Sequence, residues 1–232
     1  MQRCTRTEAK EFIEQAATIT FLTGAGVSTP SGIPDYRSLQ GVYHGLEAPE
    51  YLLSRECLQQ EPQKFYDFVL QLYHPDAQPN IIHQKMAQLA EKKTVRIVTQ
   101  NIDGLHEKAG SSNCINFHGS LYQCTCCGCG QAVTWQEYLQ SDRHNCHGQI
   151  RPDVVLYGEG FTQDILTAAI EAVAQAELLV IVGTSFQVHP FCDLIHYKQT
   201  HAAILAVNQT EIYLPSAYHW LQEDASRLFE II

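Results

Sequence analysis

Long apolar runs, an export-type N-terminus and an excess of positive charge are all missing from this chain. Its longest apolar stretch, Leu178-Leu179-Val180-Ile181-Val182, is far too short to span a bilayer. The opening residues Met1-Gln2-Arg3-Cys4-Thr5-Arg6-Thr7-Glu8 carry no apolar segment of signal-peptide type, so a cytoplasmic location is expected. Lys and Arg number 15 against 25 Asp and Glu, and the resulting net charge of -10 argues against nucleic-acid and anionic-membrane partners. Internal repeats and low-complexity tracts are also absent. A composition of 45% hydrophobic and 17% charged residues excludes intrinsic disorder. At 232 residues the chain suffices for one large domain, or a main domain with a small inserted module.

What the sequence does have is alternation. Thr18-Ile19-Thr20-Phe21-Leu22-Thr23, Thr94-Val95-Arg96-Ile97-Val98-Thr99, Leu178-Leu179-Val180-Ile181-Val182 and Ala203-Ile204-Leu205-Ala206-Val207 are short, nearly continuous apolar runs. Strands of this kind are buried on both faces, as in a parallel sheet between helices. The Ala- and Leu-rich stretch from Ile165 to Glu177 has helical spacing and serves as a crossover. The expected fold is α/β, a Rossmann-like doubly wound parallel sheet. Each run ends in a polar cluster, and in such folds ligands lie beyond the carboxyl ends of the strands. Two regions break the pattern. Residues 30–80 scatter prolines and aromatics and read as loop plus helices; residues 120–150 hold a cysteine cluster.

Gly24-x-Gly26 directly after a strand is half of a dinucleotide fingerprint, because glycines let the backbone approach a pyrophosphate at a helix N-terminus. The third glycine is missing, with Ser28 and Thr29 in its place, and no acidic residue ends a second strand about twenty residues on. That omission argues against an ordinary nicotinamide dehydrogenase, and a plain strand-to-helix turn fits the two glycines equally well. Asn101-x-Asp103 after the second strand is equally double-edged: the pair can bind ribose hydroxyls and a carboxamide, or merely cap the next helix. His118 is one of eleven histidines. It follows an apolar run, Ile115-Asn116-Phe117, and precedes Gly119. A neutral imidazole has the right basicity for proton transfer near neutral pH.

Taken together, these segments are more specific. Gly24-Ala25-Gly26-Val27-Ser28-Thr29-Pro30-Ser31-Gly32-Ile33-Pro34-Asp35-Tyr36-Arg37-Ser38 resembles the signature segment of the sirtuins, and Thr99-Gln100-Asn101-Ile102-Asp103-Gly104-Leu105-His106 resembles their second motif. His118-Gly119, Arg151-Pro152-Asp153-Val154-Val155-Leu156-Tyr157-Gly158-Glu159, Gly183-Thr184-Ser185 and Val207-Asn208 follow in the family's order. The resemblance runs from about Thr18 to the C-terminus and implies a single catalytic domain, 1–232. Its implied activity is NAD-dependent deacylation of protein lysines. In that reaction the acyl-lysine carbonyl oxygen attacks the nicotinamide ribose and nicotinamide leaves. The acyl group then passes to the ribose, giving O-acyl-ADP-ribose and free lysine.

The same resemblance distributes roles. His118 becomes the general base, with Asn101 and Asp103 in the catalytic set. Gly24, Ala25, Gly26, Ser28, Ile33, Pro34, Asp35, Tyr36, Arg37, Gln100, Ile102, Gly183, Thr184, Ser185 and Asn208 become NAD-binding positions. Ser28, Thr184 and Ser185 offer hydroxyls to phosphate, Arg37 could pair with phosphate, and Asn208 would meet the adenosine ribose. Val154, Val155, Tyr157, Gly158 and Glu159, with Phe186 to His189, resemble the edges between which a substrate peptide adds as a strand. Tyr36 and Tyr157 stand where the family often has phenylalanine. Neither Leu46–Tyr51 nor Tyr66–Leu70 shows the Tyr/Arg pair that holds acidic acyl groups, so acetyl is the first expectation. The implied partner is acylated lysine in proteins.

The nine cysteines include four between Cys124 and Cys129, forming two overlapping Cys-x-x-Cys pairs. Without an export signal a metal site is a better reading than a disulfide framework. Counted from the sirtuin landmarks, Cys126, Cys129 and Cys146 match zinc ligands, while Arg143 occupies the remaining position and cannot bind a metal. His144 is the nearest substitute, with Cys124 and Cys127 as alternatives, and a degenerate site without metal is a further option. A closed four-ligand zinc would be structural. Cys4, Cys57, Cys114 and Cys192 have no such company and read as small core or surface residues. Two other functions share parts of this pattern. ADP-ribosyl transfer is disfavoured by the retained His118, and a non-catalytic NAD-sensing module by the intact Asn101, Asp103 and His118.

Overall fold

The computed structural model describes residues 1–35 and 48–232. In chain order the strands are β1 (Gln2–Arg3), β2 (Thr18–Thr23), β3 (Thr94–Thr99), β4 (Cys114–Asn116), β5 (Gly119–Cys126), β6 (Ala132–Val133), β7 (Ile150–Val154), β8 (Leu178–Val182), β9 (Ala203–Val207) and β10 (His219–Leu221). The α-helices are α1 (Arg6–Gln15), α2 (Pro49–Leu52), α3 (Arg55–Gln60), α4 (Pro62–Leu70), α5 (Ile81–Leu89), α6 (Leu105–Lys108), α7 (Trp135–Gln140), α8 (Gln163–Ala174) and α9 (Ala225–Phe229). Seven strands form one sheet in the order β1-β10-β9-β8-β2-β3-β4, with every neighbouring pair parallel.

The sequence dictates this sheet through residues that are apolar on both faces. Ile19 and Phe21 of β2 enter one core with Val95, Ile97, Val180 and Leu205, which α1, α5 and α9 cover. Leu22, Val98, Leu179, Ile181 and Ile204 point the other way, into a second core with Ala169, Ala172 and Val173 of α8. Buried threonines on the strands are satisfied: the Thr20 hydroxyl donates to the Ala172 carbonyl at 2.7 Å, and that of Thr23 to Thr99 Oγ1 at 2.8 Å. The crossover expected over Ile165–Glu177 is α8, two residues earlier at its start and ended at Ala174; Thr162 caps it by accepting from the Ile165 N–H. From β2 the chain proceeds outward through β3 to β4, and later through β8 and β9 to β10. The strand order therefore reverses between β2 and β8, which opens a crevice at their carboxyl ends.

Outside the main sheet, β6-β5-β7 form a small antiparallel sheet. Helices α2–α4 pack with it in a third core that includes Leu52, Phe65, Phe68, Leu121, Cys124, Tyr138 and Leu156. The β5–β7 ladder starts at Gly119, which pairs with Val154. Gly119 has φ +81°, and a Cβ there would sit 2.0 Å from the Asp153 carbonyl oxygen. Only glycine lets the chain turn here from the large sheet into the small one.

Candidate active site

The crevice is built from three strand ends. After β2, Gly24 leads into a 3₁₀ turn at Ala25–Val27, whose first N–H groups have no partner within the turn. After β8 comes Gly183, at φ +62°. Gly26 donates its N–H to the Gly183 carbonyl at 2.8 Å, and a Cβ on Gly26 would lie 2.7 Å from the Gly183 Cα. The two glycine turns touch backbone to backbone, a closeness no side chain would tolerate.

After β3, Gln100-Asn101-Ile102-Asp103 crosses the floor of the cleft. Asn101 donates from Nδ2 to the Gly24 carbonyl at 3.1 Å and to Ser28 Oγ at 3.0 Å, and Ser28 Oγ donates onward to Asp103 Oδ2 at 2.6 Å. Asp103 Oδ1 accepts from the Leu105 N–H at 2.9 Å. Asp103 therefore both caps α6 and anchors the site. Burial pushes its carboxyl up, against the lowering pull of the Ser28 and Leu105 hydrogen bonds.

His118 stands where β4 hands over to β5. The Phe117 N–H donates to the Thr99 carbonyl, the His118 carbonyl accepts from Val155, and Gly119 turns the chain away. Its Nδ1 lies 3.1 Å from the Gln100 carbonyl oxygen. A carbonyl only accepts, so Nδ1 carries the proton and Nε2 the lone pair. Phe117, Phe161 and Phe191 surround the ring at centroid distances of 5.6, 5.8 and 6.3 Å. Phe161 has no signal in the sequence: it sits in a loop before α8, outside any motif or periodicity.

A cavity of about 320 Å³ joins these parts. Ala25, Ser28, Ile33, Pro34, Asp35, Gln100, Asn101, Ile102, Asp103 and His118 line it, as do Val154, Val155, Tyr157, Gly158 and Glu159. Gly24, Gly26, Gly183, Thr184, Ser185 and Asn208 are not among its lining residues. Leu53, Leu72 and Leu121 add an apolar side that sequence reasoning missed, because it comes from three separate elements.

Several polar side chains turn out to be employed within the chain. Ser28 is buried, and its hydroxyl is spent on Asp103 and Asn101, with none left to face phosphate. Thr184 Oγ1 donates to Gln100 Oε1 at 2.8 Å and accepts from the Phe186 N–H at 3.0 Å. Asn208 uses both ends of its amide on Thr184, accepting from its N–H at 3.1 Å and donating to its carbonyl at 2.7 Å. Buried polar groups at strand ends must be satisfied, and here the neighbouring loop satisfies them. Ser185 alone of the three hydroxyl residues is exposed. Glu159 is held by Arg151, at 2.5 Å and 3.0 Å, and by the Leu156 N–H, so its carboxylate shapes the 154–159 segment. Tyr36 and Arg37, and Leu46 with them, lie outside the described residues.

Two observations fit a dinucleotide. The glycine cradle would be filled by any Cβ. Gln100 Nε2 is buried with no partner among the described residues, although it borders the cavity.

The Sir2 family model matches residues 24–190. The chain belongs to the Sir2 family. It is 62% identical to an NAD-dependent protein deacetylase of Enterococcus faecalis (strain ATCC 700802 / V583), over 99% of this chain and 97% of that one. A solved structure of Sir2Tm bound to a propionylated peptide is 29% identical with a TM-score of 0.86, covering 98% of this chain and 97% of the other. A Sir2 structure with p53 peptide and NAD+ is also 29% identical, with a TM-score of 0.82 over 98% and 97% of the two chains.

In this Sir2-family chain the small sheet carries a metal-binding donor set. The ligand atoms of Cys126, Cys129, His144 and Cys146 all lie within 4.8 Å of one another. Cys126 Sγ is 3.5 Å from Cys146 Sγ, and His144 Nδ1 is 3.4 Å from Cys129 Sγ and 3.2 Å from Cys146 Sγ. Three sulfurs and an imidazole at such spacing fit a tetrahedral, structural zinc. Burial alone would raise the Cys126 thiol, but hydrogen bonds from the backbone N–H groups of Cys129 and Gly128, together with those from the Cys146 and Cys129 thiols, bring it down to about 7. The turn after β5 folds Cys129 back over Cys126. Cys124 lies earlier in the strand, buried 3.7 Å from Tyr73 Oη, and Cys127 is exposed, so neither joins the set. No disulfide forms among the nine cysteines. Among the described residues no helix is long and apolar enough to cross a membrane.

Proposed function

We propose that this chain is an NAD-dependent protein-lysine deacylase in which His118 is the general base and acetyl-lysine the preferred substrate. The observation that carries the assignment is the convergence of the Asn101–Ser28–Asp103 chain and the Nδ1-protonated His118 on one cleft beside a glycine cradle. The glycine turns at Gly24–Gly26 and Gly183, with Gln100, would hold NAD, whose ribose would supply the electrophile and the acceptor for the acyl group. The chain's residues do the rest. Asn101, Ser28 and Asp103 fix the floor of the cleft, and His118, protonated at Nδ1, presents Nε2 to accept a proton from a substrate hydroxyl. Phe117, Phe161 and Phe191 surround the His118 ring and hold it against the cleft.

The cavity lining combines apolar and acidic side chains. Among the described residues no Lys or Arg lines the cavity, whereas Asp35, Glu50, Asp103 and Glu159 do. An acyl group ending in a carboxylate would meet like charge, which favours acetyl over succinyl. The segment around Val154, Val155, Tyr157 and Gly158 would receive the peptide by backbone pairing, with loose sequence preference. Within the single catalytic domain, 1–232, residues 120–150 form the zinc module and 30–80 the helical and cofactor-loop insertion.

A panel of acetyl-, propionyl- and succinyl-lysine peptides with NAD, read by mass spectrometry, tests this reading. Deacetylation at least tenfold faster than desuccinylation is expected. Succinyl turnover equal to acetyl turnover would overturn the acyl assignment, and transfer of ADP-ribose to protein without peptide deacylation would overturn the activity.

A further inference from the structure

On the rim of the cleft a second set of metal-binding atoms comes together, on elements separate from the zinc module. His189 Nδ1 lies 2.8 Å from Asp193 Oδ2 and 3.5 Å from Cys192 Sγ, and Cys192 Sγ lies 4.0 Å from Asp193 Oδ1. We propose that His189, Cys192 and Asp193 bind a divalent cation of the zinc class, and that the bound cation obstructs the acyl-peptide side of the cleft.

Tetrahedral bonds of about 2.0–2.3 Å place ligand atoms roughly 3.3–3.8 Å apart. The His189 Nδ1 to Cys192 Sγ separation of 3.5 Å lies in that range, and the Asp193 carboxylate brackets it, with Oδ2 at 2.8 Å from the imidazole and Oδ1 at 4.0 Å from the sulfur. Nitrogen, thiolate and carboxylate donors together suit borderline divalent ions such as Zn²⁺. Three protein donors leave a fourth position for solvent. Cys192 would give its proton to the solvent as the sulfur–metal bond forms, and the thiolate and carboxylate then balance the cation's charge.

The backbone holds the three residues in place. Cys192 donates its N–H to the Val188 carbonyl at 3.0 Å, and Asp193 to the Pro190 carbonyl at 3.1 Å. Phe191, Leu194 and Ile195 are buried on the far side of the same turn, so the ligands project from an anchored segment. A simple surface ion pair explains His189 with Asp193, but it does not require the Cys192 sulfur at the same nitrogen. The placement matters for function because Val188 and His189 border the cavity that His118 lines, and Phe191 packs against the His118 ring.

Equilibrium dialysis of the full chain, loaded at its structural site, against micromolar Zn²⁺ would count metal per chain. Two equivalents are expected for the wild type and for Cys127→Ser, and one for Cys192→Ser and for Asp193→Asn. One equivalent in the wild type, or two in Cys192→Ser, would overturn the site. The obstruction half rests on the deacylase reading and has its own readout. Added Zn²⁺ should raise the KM for acetyl peptide several-fold in the wild type and not in Asp193→Asn, and an unchanged KM with the second equivalent bound would overturn it. The stoichiometry decides the metal site even if the chain deacetylates nothing.

Discussion

His118 Nδ1 lies 3.1 Å from the carbonyl oxygen of Gln100, the residue that leads into Asn101 and Asp103. The floor of the cleft thus sets the tautomer of the base, and one backbone carbonyl links the two halves of the chemistry. Replacing His118 with alanine should lower the acyl-transfer rate by about 10²–10⁴-fold. A His118→Ala enzyme that kept the wild-type acyl-transfer rate would remove this residue from the base role.

Ser28 sits between Asn101 and Asp103 as donor to one and acceptor from the other. Ser28→Ala leaves a buried carboxyl and a buried amide each short of a partner, at a cost of about 1–3 kcal/mol. The expected result is a fall in kcat/KM for NAD of at least tenfold with an unchanged circular dichroism spectrum. A kinetic profile like the wild type would show that the chain of hydrogen bonds does not position the cleft floor.

The zinc module separates its cysteines sharply. Cys129→Ser and Cys146→Ser should each lose the bound zinc and lower Tm by on the order of 10 °C. Cys127→Ser, on an exposed side chain, should keep both metal and Tm. Atomic absorption on the purified variants checks the first half, and calorimetry the second.

How much of this could be read beforehand depends on the residue. Strands β2, β3, β8 and β9 are legible because Ile19–Phe21, Val95–Val98, Leu178–Val182 and Ile204–Val207 are apolar on both faces, a pattern few other structures use. Strands β1 and β10 are two and three residues long, too short for any periodicity. The cluster at Cys124–Cys129 by itself announced a metal site without choosing among its four cysteines; the resemblance to the sirtuins chose Cys126, Cys129, Cys146 and His144, the same four donors that the fold brings together. The turn after β5, which chooses Cys129, and the loop that returns His144 to it are tertiary facts. For the same reason the hydroxyls of Ser28 and Thr184 read as phosphate donors, when folding turns them inward onto Asp103 and Gln100.

Two buried histidines give the fold an acid sensitivity. His83 and His106 pack edge to face with centroids 4.8 Å apart; burial pushes the His83 pKa down to about 4 from 6.5 and holds His106 well below its ordinary value. The unfolded chain takes up protons below pH 6.5 that the folded chain refuses. Stability is therefore undiminished above 6.5, falls as pH drops toward 4, and for His83 levels off below. That residue alone accounts for about 3 kcal/mol over the window. Urea unfolding at pH 7, 6 and 5 should show the decline, and His83→Leu should flatten it; equal slopes in the two proteins would contradict the assignment.

The most direct test of the central claim is a stoichiometric one. Purified chain, NAD and an acetyl-lysine peptide are followed together by mass spectrometry. The account predicts one nicotinamide and one O-acetyl-ADP-ribose for every lysine freed, and no product without NAD. Nicotinamide release without deacetylation, or deacetylation that proceeds without NAD, would contradict it.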